Sequence, residues 1–332
     1  MKVAVVDLGT NSCRLLLAEV DGSRVATRDR IATVTRLGEG VDRRRALNAA
    51  AARRTTECLG AYVRRIERFA PERRQLIATS VLRDAVDGKA YLDGLERRFG
   101  LPWRILGGDE EAALGFAGAA SAVAAPPDDG RVAGPAPHRL AVLDIGGGST
   151  ELSVGPFPIR QPSGSAPPIP APDLTCSLDI GSVRLTERFL LSDPPTEAEW
   201  RDAERFTRGL LDREVPDDAR SHIALVVGVA GTITTLLAYK LGLRRYDPEL
   251  VHGHRLSLGD VERSIAVFRG LTSEQRAALP GIQRGREDVI PAGALIAREA
   301  CRLLSVDGLV ASEADTLDGV ALAIAAASFG VP

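Results

Sequence analysis

The chain has 332 residues, 45% of them hydrophobic, enough for about two domains of ordinary size with cores of their own and too apolar for a disordered chain. Glycine and proline number 33 and 20, below the share at which a fibrous or low-complexity reading takes over. With 42 basic and 44 acidic residues the net charge is -2, which excludes the bulk basic excess of a general nucleic-acid binder and leaves any polyanion to a local site.

In chain order, MKVAVVDLG and CRLLLAEVDG read as strands, and Leu59, Tyr62, Ile66 and Phe69 recur at the spacing of an amphipathic helix. Strand QLIATS, a helix from Ser80, strand WRILGG and a helix from Asp109 follow. The order then begins again: strands RLAVLDIGG, TELSVG and LTCSLDIG, a helix from about Ser182, the helical TEAEWRDAERFTRGLLDREV, strand HIALVVG, helix TITTLLAYKLG, and a last helix over 316–329. Such alternation predicts an α/β fold.

Two stretches rich in breakers interrupt the pattern, at 125–138 and 156–173. The first separates a helix from a strand and reads as a linker. The second lies between two strand-like runs and reads as a long hairpin loop of the second domain. The expected organisation is therefore residues 1–126, a linker over 127–138, and residues 139–332, with the helix over 316–329 packing back onto the first domain.

The chain contains one long-range echo. Asp7, Gly9 and Ser12 in DLGTNS share the D-x-G-x-x-S spacing of Asp144, Gly146 and Ser149 in DIGGGS, 137 residues later. Each copy lies between two strands, so we expect two similar subdomains offering β-loop-β turns to a shared cleft. Glycine lets backbone N–H groups approach an anion, so both turns read as phosphate cradles: Gly9, Thr10, Asn11 and Ser12 in one, Gly146, Gly147, Gly148 and Ser149 in the other. Asp144 and Glu151 flank the second with hard oxygen atoms suited to Mg²⁺, and Asp7 holds the corresponding place in the first. A tight hairpin would also use Gly and Asp, though a matched pair of such turns argues against that reading.

Asp109 reads as a helix cap with Glu110 and Glu111 in the first turn, where the helix dipole favours acids without any function; a carboxylate there could also serve as a general base. Arg83 in ATSVLRDA and Arg14 after the first loop are candidate phosphate forks among 39 arginines, most of which read as compositional bias. In VVGVAGTITT, Gly231 and Thr232 open a helix whose N-terminus suits a phosphate or nucleotide, or simply packs tightly. Asp179 and Gly181 repeat D-x-G without a following strand and read as structural. Four cysteines without CxxC spacing and an HGH pair without a metal motif predict neither disulfides nor a zinc site. The N-terminus lacks a signal-peptide pattern and no apolar run spans a membrane, so a soluble, cytoplasmic protein with no membrane partner is expected.

Together DLGTNSCRLLL, ATSVLRDA, GGDEEA, DIGGGSTE and GVAGT resemble, in order and spacing, the exopolyphosphatase/guanosine pentaphosphate phosphohydrolase family of the actin-like superfamily. That resemblance implies two actin-like, ribonuclease H-like subdomains, Glu111 as catalytic base, Asp144 and Glu151 as metal ligands with Asp7 beside them, Mg²⁺ or another divalent cation, and a homodimer. The implied substrates are inorganic polyphosphate or guanosine penta- and tetraphosphate. Three departures stand out: Ala113 replaces an arginine common two residues after the base, the chain stops at Pro332 without a C-terminal extension, and DLGTNS replaces DxGSNS. Hydrolysis of terminal phosphoanhydrides is the expected reaction; a pppGpp 5′-phosphohydrolase, a kinase or ATPase, and a non-catalytic alarmone sensor are the alternatives.

Overall fold

The computed structural model describes residues 1–123, 139–157 and 169–328. Contacts divide these into two units, one of residues 1–121, 169–170 and 314–328, the other of 122–123, 139–157 and 171–313. The linker expected at 127–138 lies outside the described residues, as does most of the stretch 156–173. Ile169 and the C-terminal segment group with the first unit.

The first unit is built on β1 (Lys2–Leu8), β2 (Ser12–Asp21), β3 (Arg24–Val34), β4 (Arg73–Ala78) and β5 (Trp103–Ile105), in the order β3-β2-β1-β4-β5. The β1–β2 and β2–β3 pairs are antiparallel, whereas β1–β4 and β4–β5 are parallel. Strand β1 is an unbroken apolar run because both its faces are covered. Ala4, Val6 and Leu8 meet Leu59, Tyr62 and Ile66 of the helix Ala49–Phe69, while Val3 and Val5 join a cluster with Leu317, Val320 and Ala321 of the helix Thr316–Ser328. Each fully buried Leu or Val side chain contributes about 1.5–3 kcal/mol, so this second face is what holds the C-terminal helix. Its approach to the helix Gly108–Ala122 is backbone to backbone: a Cβ on Gly118 would lie 1.9 Å from the Asp315 carbonyl oxygen, and one on Gly319 1.9 Å from that of Leu114.

The second unit contains β6 (Arg139–Ile145), β7 (Thr150–Pro156), β8 (Leu174–Leu178), β9 (Ile223–Val229), β10 (Arg255–Ser257) and β11 (Gly308–Ala311), in the order β10-β11-β9-β6-β7-β8. Strands β6, β7 and β8 pair antiparallel, β6–β9 and β9–β11 parallel, and β10 adds an antiparallel edge. Without β10 the order and directions repeat those of the first sheet. The helix Ile290–Leu303, buried from Ile290 through Cys301, runs through its core.

Strands β3, β10 and β11 and the helices Gly88–Phe99, Leu258–Arg269 and Ile290–Leu303 carried no usable signal in the sequence. β3 is a half-exposed edge strand with charged residues throughout, and Ile290–Leu303 is buried around most of its length with Arg298 and Glu299 enclosed among its apolar residues, so neither shows the clean alternation that marks an element.

Candidate active site

The two D-x-G turns are copies of one hairpin. In the first, the Gly9 N–H donates to the Ser12 carbonyl at 3.0 Å and the ladder closes on the pair Leu8–Cys13. In the second, the Gly146 N–H donates to the Ser149 carbonyl at 3.0 Å and the ladder closes on Ile145–Thr150. Every equivalent residue is displaced by the 137 positions seen in the sequence. Among the described residues no acceptor meets the N–H groups of Thr10 or Asn11 in the first turn, nor those of the equivalent Gly147 and Gly148 in the second. Adjacent main-chain N–H groups left open at a turn form an anion-binding nest.

The first turn is held from outside. The Thr10 hydroxyl shares a hydrogen bond with that of Ser80 at 3.2 Å, and the Asn11 carbonyl accepts from Thr35 and Arg36 at 3.0 and 2.9 Å. The Asn11 side chain is buried, and neither its Oδ1 nor its Nδ2 has a partner among the described residues. Asp7, 2% exposed, receives Nε and Nη2 of Arg14 on Oδ2 at 2.8 and 2.6 Å, while its Oδ1 has no partner among the described residues. Burial pushes the Asp7 carboxyl above its ordinary range despite the opposing pull of Arg14. Arg14, read from the sequence as a phosphate fork, also donates through Nη1 to Asp315 at 2.5 Å, so its guanidinium is shared by two carboxylates.

In the second hairpin Asp144 and Glu151 are directly opposed across β6 and β7, both buried, with the Ser177 hydroxyl donating to Glu151 Oε1 at 3.0 Å. Two adjacent carboxylates are the hard oxygen donors a divalent cation takes. Among the described residues no group of three or more His, Cys, Asp or Glu side chains is arranged to hold a metal. The glycine run is braced by the helix Ser182–Phe189: the Gly146 carbonyl accepts from the Ser182 N–H at 2.9 Å, and that of Gly147 from Val183 and Arg184 at 2.9 and 3.1 Å. Gly181 is required there, since a Cβ would lie 2.4 Å from the Gly147 carbonyl carbon. The third D-x-G is thus a support for the second loop, in keeping with its structural reading. Ser149 is buried beside it.

Glu111 lies in the first unit and is largely buried near the start of Gly108–Ala122. Its N–H donates to the Gly107 carbonyl at 2.9 Å, which makes Gly107 the residue that begins the helix; Asp109, expected as the cap, lies inside the first turn. Glu110 pairs with Arg104, leaving Glu111 as the buried acid of the turn. Arg83 is exposed and donates from Nη1 to the Leu106 carbonyl at 2.8 Å, bracing the segment that leads into this helix.

At the β9 turn, Gly231 and Thr232 open the helix Ala230–Lys240 as expected. The Thr232 hydroxyl is buried and donates to the Ile145 carbonyl at 3.0 Å, so it ties this helix to the end of β6. The Arg286 guanidinium lies over Gly231, where a Cβ would come within 2.0 Å of it. Sequence reasoning missed Arg286, Ser80, Arg30, Asp315 and Asp318. Ser80 lay within ATSVLRDA, and the last pair left a trace of its own: D-x-x-D before an apolar run is a capping-box spacing, and the Leu317 N–H does donate to Asp315 Oδ1 while the Asp315 N–H donates to Asp318 Oδ2, both at 2.9 Å.

Two units with the order 3-2-1-4-5, each offering an open-amide hairpin after an aspartate, define a protein of the actin-like, ribonuclease H-like class. Within that class the chain belongs to the Ppx/GppA phosphatase family, whose model matches residues 17–326. It is 36% identical to exopolyphosphatase 2 of Mycobacterium tuberculosis over 98% of both chains. Among solved structures it resembles an exopolyphosphatase-like protein (34% identity, 97% and 98% of the two chains, TM-score 0.85) and the Aquifex aeolicus Ppx/GppA family member (27% identity, 100% and 99%, TM-score 0.77). No helix among the described residues is long and apolar enough to cross a membrane.

Proposed function

We propose that the protein is an exopolyphosphatase that hydrolyses the terminal phosphoanhydride of inorganic polyphosphate and releases orthophosphate. The observation that carries this reading is the pair of open N–H sets at Thr10–Asn11 and Gly147–Gly148, two copies of an anion cradle in a family of phosphatases. The similarity to a protein named exopolyphosphatase 2 supports polyphosphate as the substrate.

In this reading the N–H groups of the two turns hold phosphoryl oxygens, and Gly9, Ser12, Gly146 and Ser149 shape the cradles. Glu111 takes a proton from water as the water oxygen attacks the terminal phosphorus, and the bridging P–O bond breaks with its electron pair leaving on the shortened chain. Asp144 and Glu151 are the residues that would hold Mg²⁺; the bound ion would neutralise phosphoryl charge. Arg83 serves by bracing the segment before Glu111. We also propose a cytoplasmic homodimer; the free state of all four cysteines is in keeping with a reducing compartment.

The test is orthophosphate release with Mg²⁺ from short-chain polyphosphate, long-chain polyphosphate, pppGpp and ATP, for wild type and Glu111→Gln. Release from polyphosphate that disappears in the variant is expected. Preference for pppGpp would make the protein an alarmone phosphatase, and binding without release from any substrate would make it a sensor.

A further inference from the structure

We propose that Asp315, Arg30 and Asp318 are positioning residues for the first phosphate loop, acting on Asp7 through Arg14. The inference rests on the phosphoanhydride-hydrolase reading and adds three residues to it.

The observation is a chain of buried ion pairs within the first unit. Arg14 holds Asp7 through Nε and Nη2 and is itself held through Nη1 by Asp315 Oδ2 at 2.5 Å. The other Asp315 oxygen receives Nη1 of Arg30 at 3.4 Å, and Nη2 of Arg30 goes to Asp318 Oδ2. Both aspartates are pinned in turn by the start of the C-terminal helix, through the Leu317 and Asp315 N–H groups. That helix is seated on β1 and β2 by its apolar face and held against Gly108–Ala122 at Gly118 and Gly319. The three carboxylates are each less than a tenth exposed and the two arginine side chains less than a fifth.

A guanidinium presents its N–H groups in one rigid plane, so an acceptor fixed at one edge sets the orientation of the opposite edge. Asp315 therefore dictates which way Arg14 faces Asp7, and with Asp7 Oδ2 occupied, the partnerless Oδ1 is the atom left to face the loop. Three carboxylates share two guanidiniums, which keeps Arg14 bound to acids on both sides and makes it a poor fork for a substrate phosphate. The role read for Arg14 from sequence, a direct phosphate contact, becomes that of a lever between the C-terminal helix and the loop.

The test is a double-mutant cycle of Asp315→Asn and Arg14→Gln, read as kcat and KM for short-chain polyphosphate and as tripolyphosphate binding by calorimetry, with urea midpoints for each variant. Asp315→Asn keeps shape and removes the charge. Its expected effect is a fall of about 10–100-fold in kcat with KM changed less than about threefold, as for other residues that orient a site group. In the Arg14→Gln background the same substitution should cost less than about twofold, because the lever is already gone. Asp318→Asn should give a weaker copy of the same pattern, and Asp318→Glu should recover part of it. Costs that add across the cycle would make the network merely structural and overturn the proposal. So would a lowered KM in Asp315→Asn, since that would mean Arg14 reaches phosphate once released. A wild type that binds tripolyphosphate but hydrolyses no phosphoanhydride would overturn the catalytic reading alone, and the binding arm of the cycle would then decide the positioning role. A wild type that neither binds nor hydrolyses would overturn both.

Discussion

Arg14 and Glu151 occupy the same position in two copies of one hairpin. Each is the cross-strand partner of the loop aspartate, Asp7 in the first copy and Asp144 in the second. The first loop thus carries its own counterion, while the second sets two carboxylates side by side. Facing carboxylates are the kind of oxygen pair a divalent cation takes, which a carboxylate–guanidinium pair is not.

A melting experiment checks this asymmetry. Millimolar Mg²⁺ should raise the wild-type midpoint over that in chelator, because an ion bound only to the folded state stabilises it. Glu151→Gln should lose most of that rise, because it removes one of the two facing carboxylates. An undiminished Mg²⁺ response in the variant would remove Glu151 from the cation site.

Glu111→Gln should reduce orthophosphate release by about 10²–10⁴-fold, the usual weight of a general base, while tripolyphosphate binding changes little. The substitution keeps size and polarity at a largely buried position, so the far-UV spectrum and urea midpoint should stay near wild type. A variant within about tenfold of wild-type turnover would show that another group accepts the proton.

Gly118→Ala and Gly319→Ala should each destabilise the protein by about 1–3 kcal/mol or more, since the new methyl meets backbone rather than a yielding side chain. Equilibrium urea unfolding measures the cost. If Asp315 works as proposed, these variants also lose turnover in proportion to the displacement of the C-terminal helix, and normal activity in a strongly destabilised variant would count against that link.

Asp260 supplies a pH test. Burial pushes its carboxyl up, but the Ser257 hydroxyl and N–H, Lys240 and Arg263 outweigh burial and hold it well below the usual carboxylate range. A depressed pKa in the folded state contributes stability above the unfolded value near 4 and loses it as the pH falls toward the folded value. Asp260→Asn should therefore cost stability at pH 7 and progressively less below about pH 4. A penalty that stays constant from pH 7 to pH 3 would rule out this linkage.

Cys58, on the helix Ala49–Phe69, has its thiol pulled below the ordinary range, chiefly by the neighbouring Cys13 thiol and against the opposing effect of burial. Cys13 and Cys301 are buried and shifted upward. Iodoacetamide at pH 7 should therefore modify Cys58 ahead of these two, and Cys13→Ala should slow that reaction by raising the Cys58 pKa. Peptide mapping after brief alkylation reads both outcomes.

What could be read from the sequence was whatever is written in short, contiguous segments. The alternation of apolar runs set the α/β class, and the two D-x-G turns were visible because a hairpin loop is built from neighbours, six residues doing the same work in both copies. The acidic turn at Glu110 and Glu111 was visible too, but residue physics could not separate its members. Burial did, by pairing Glu110 with exposed Arg104 and enclosing Glu111. What the helix Thr316–Ser328 covers was not written near it, because that apolar surface belongs to strands at the other end of the chain. The same distance hid the Arg14–Asp315 pair. The neighbours of Arg14 in sequence suggested a phosphate, but one of its partners is 301 residues away, and what a guanidinium does depends on which acceptors surround it once the chain has folded.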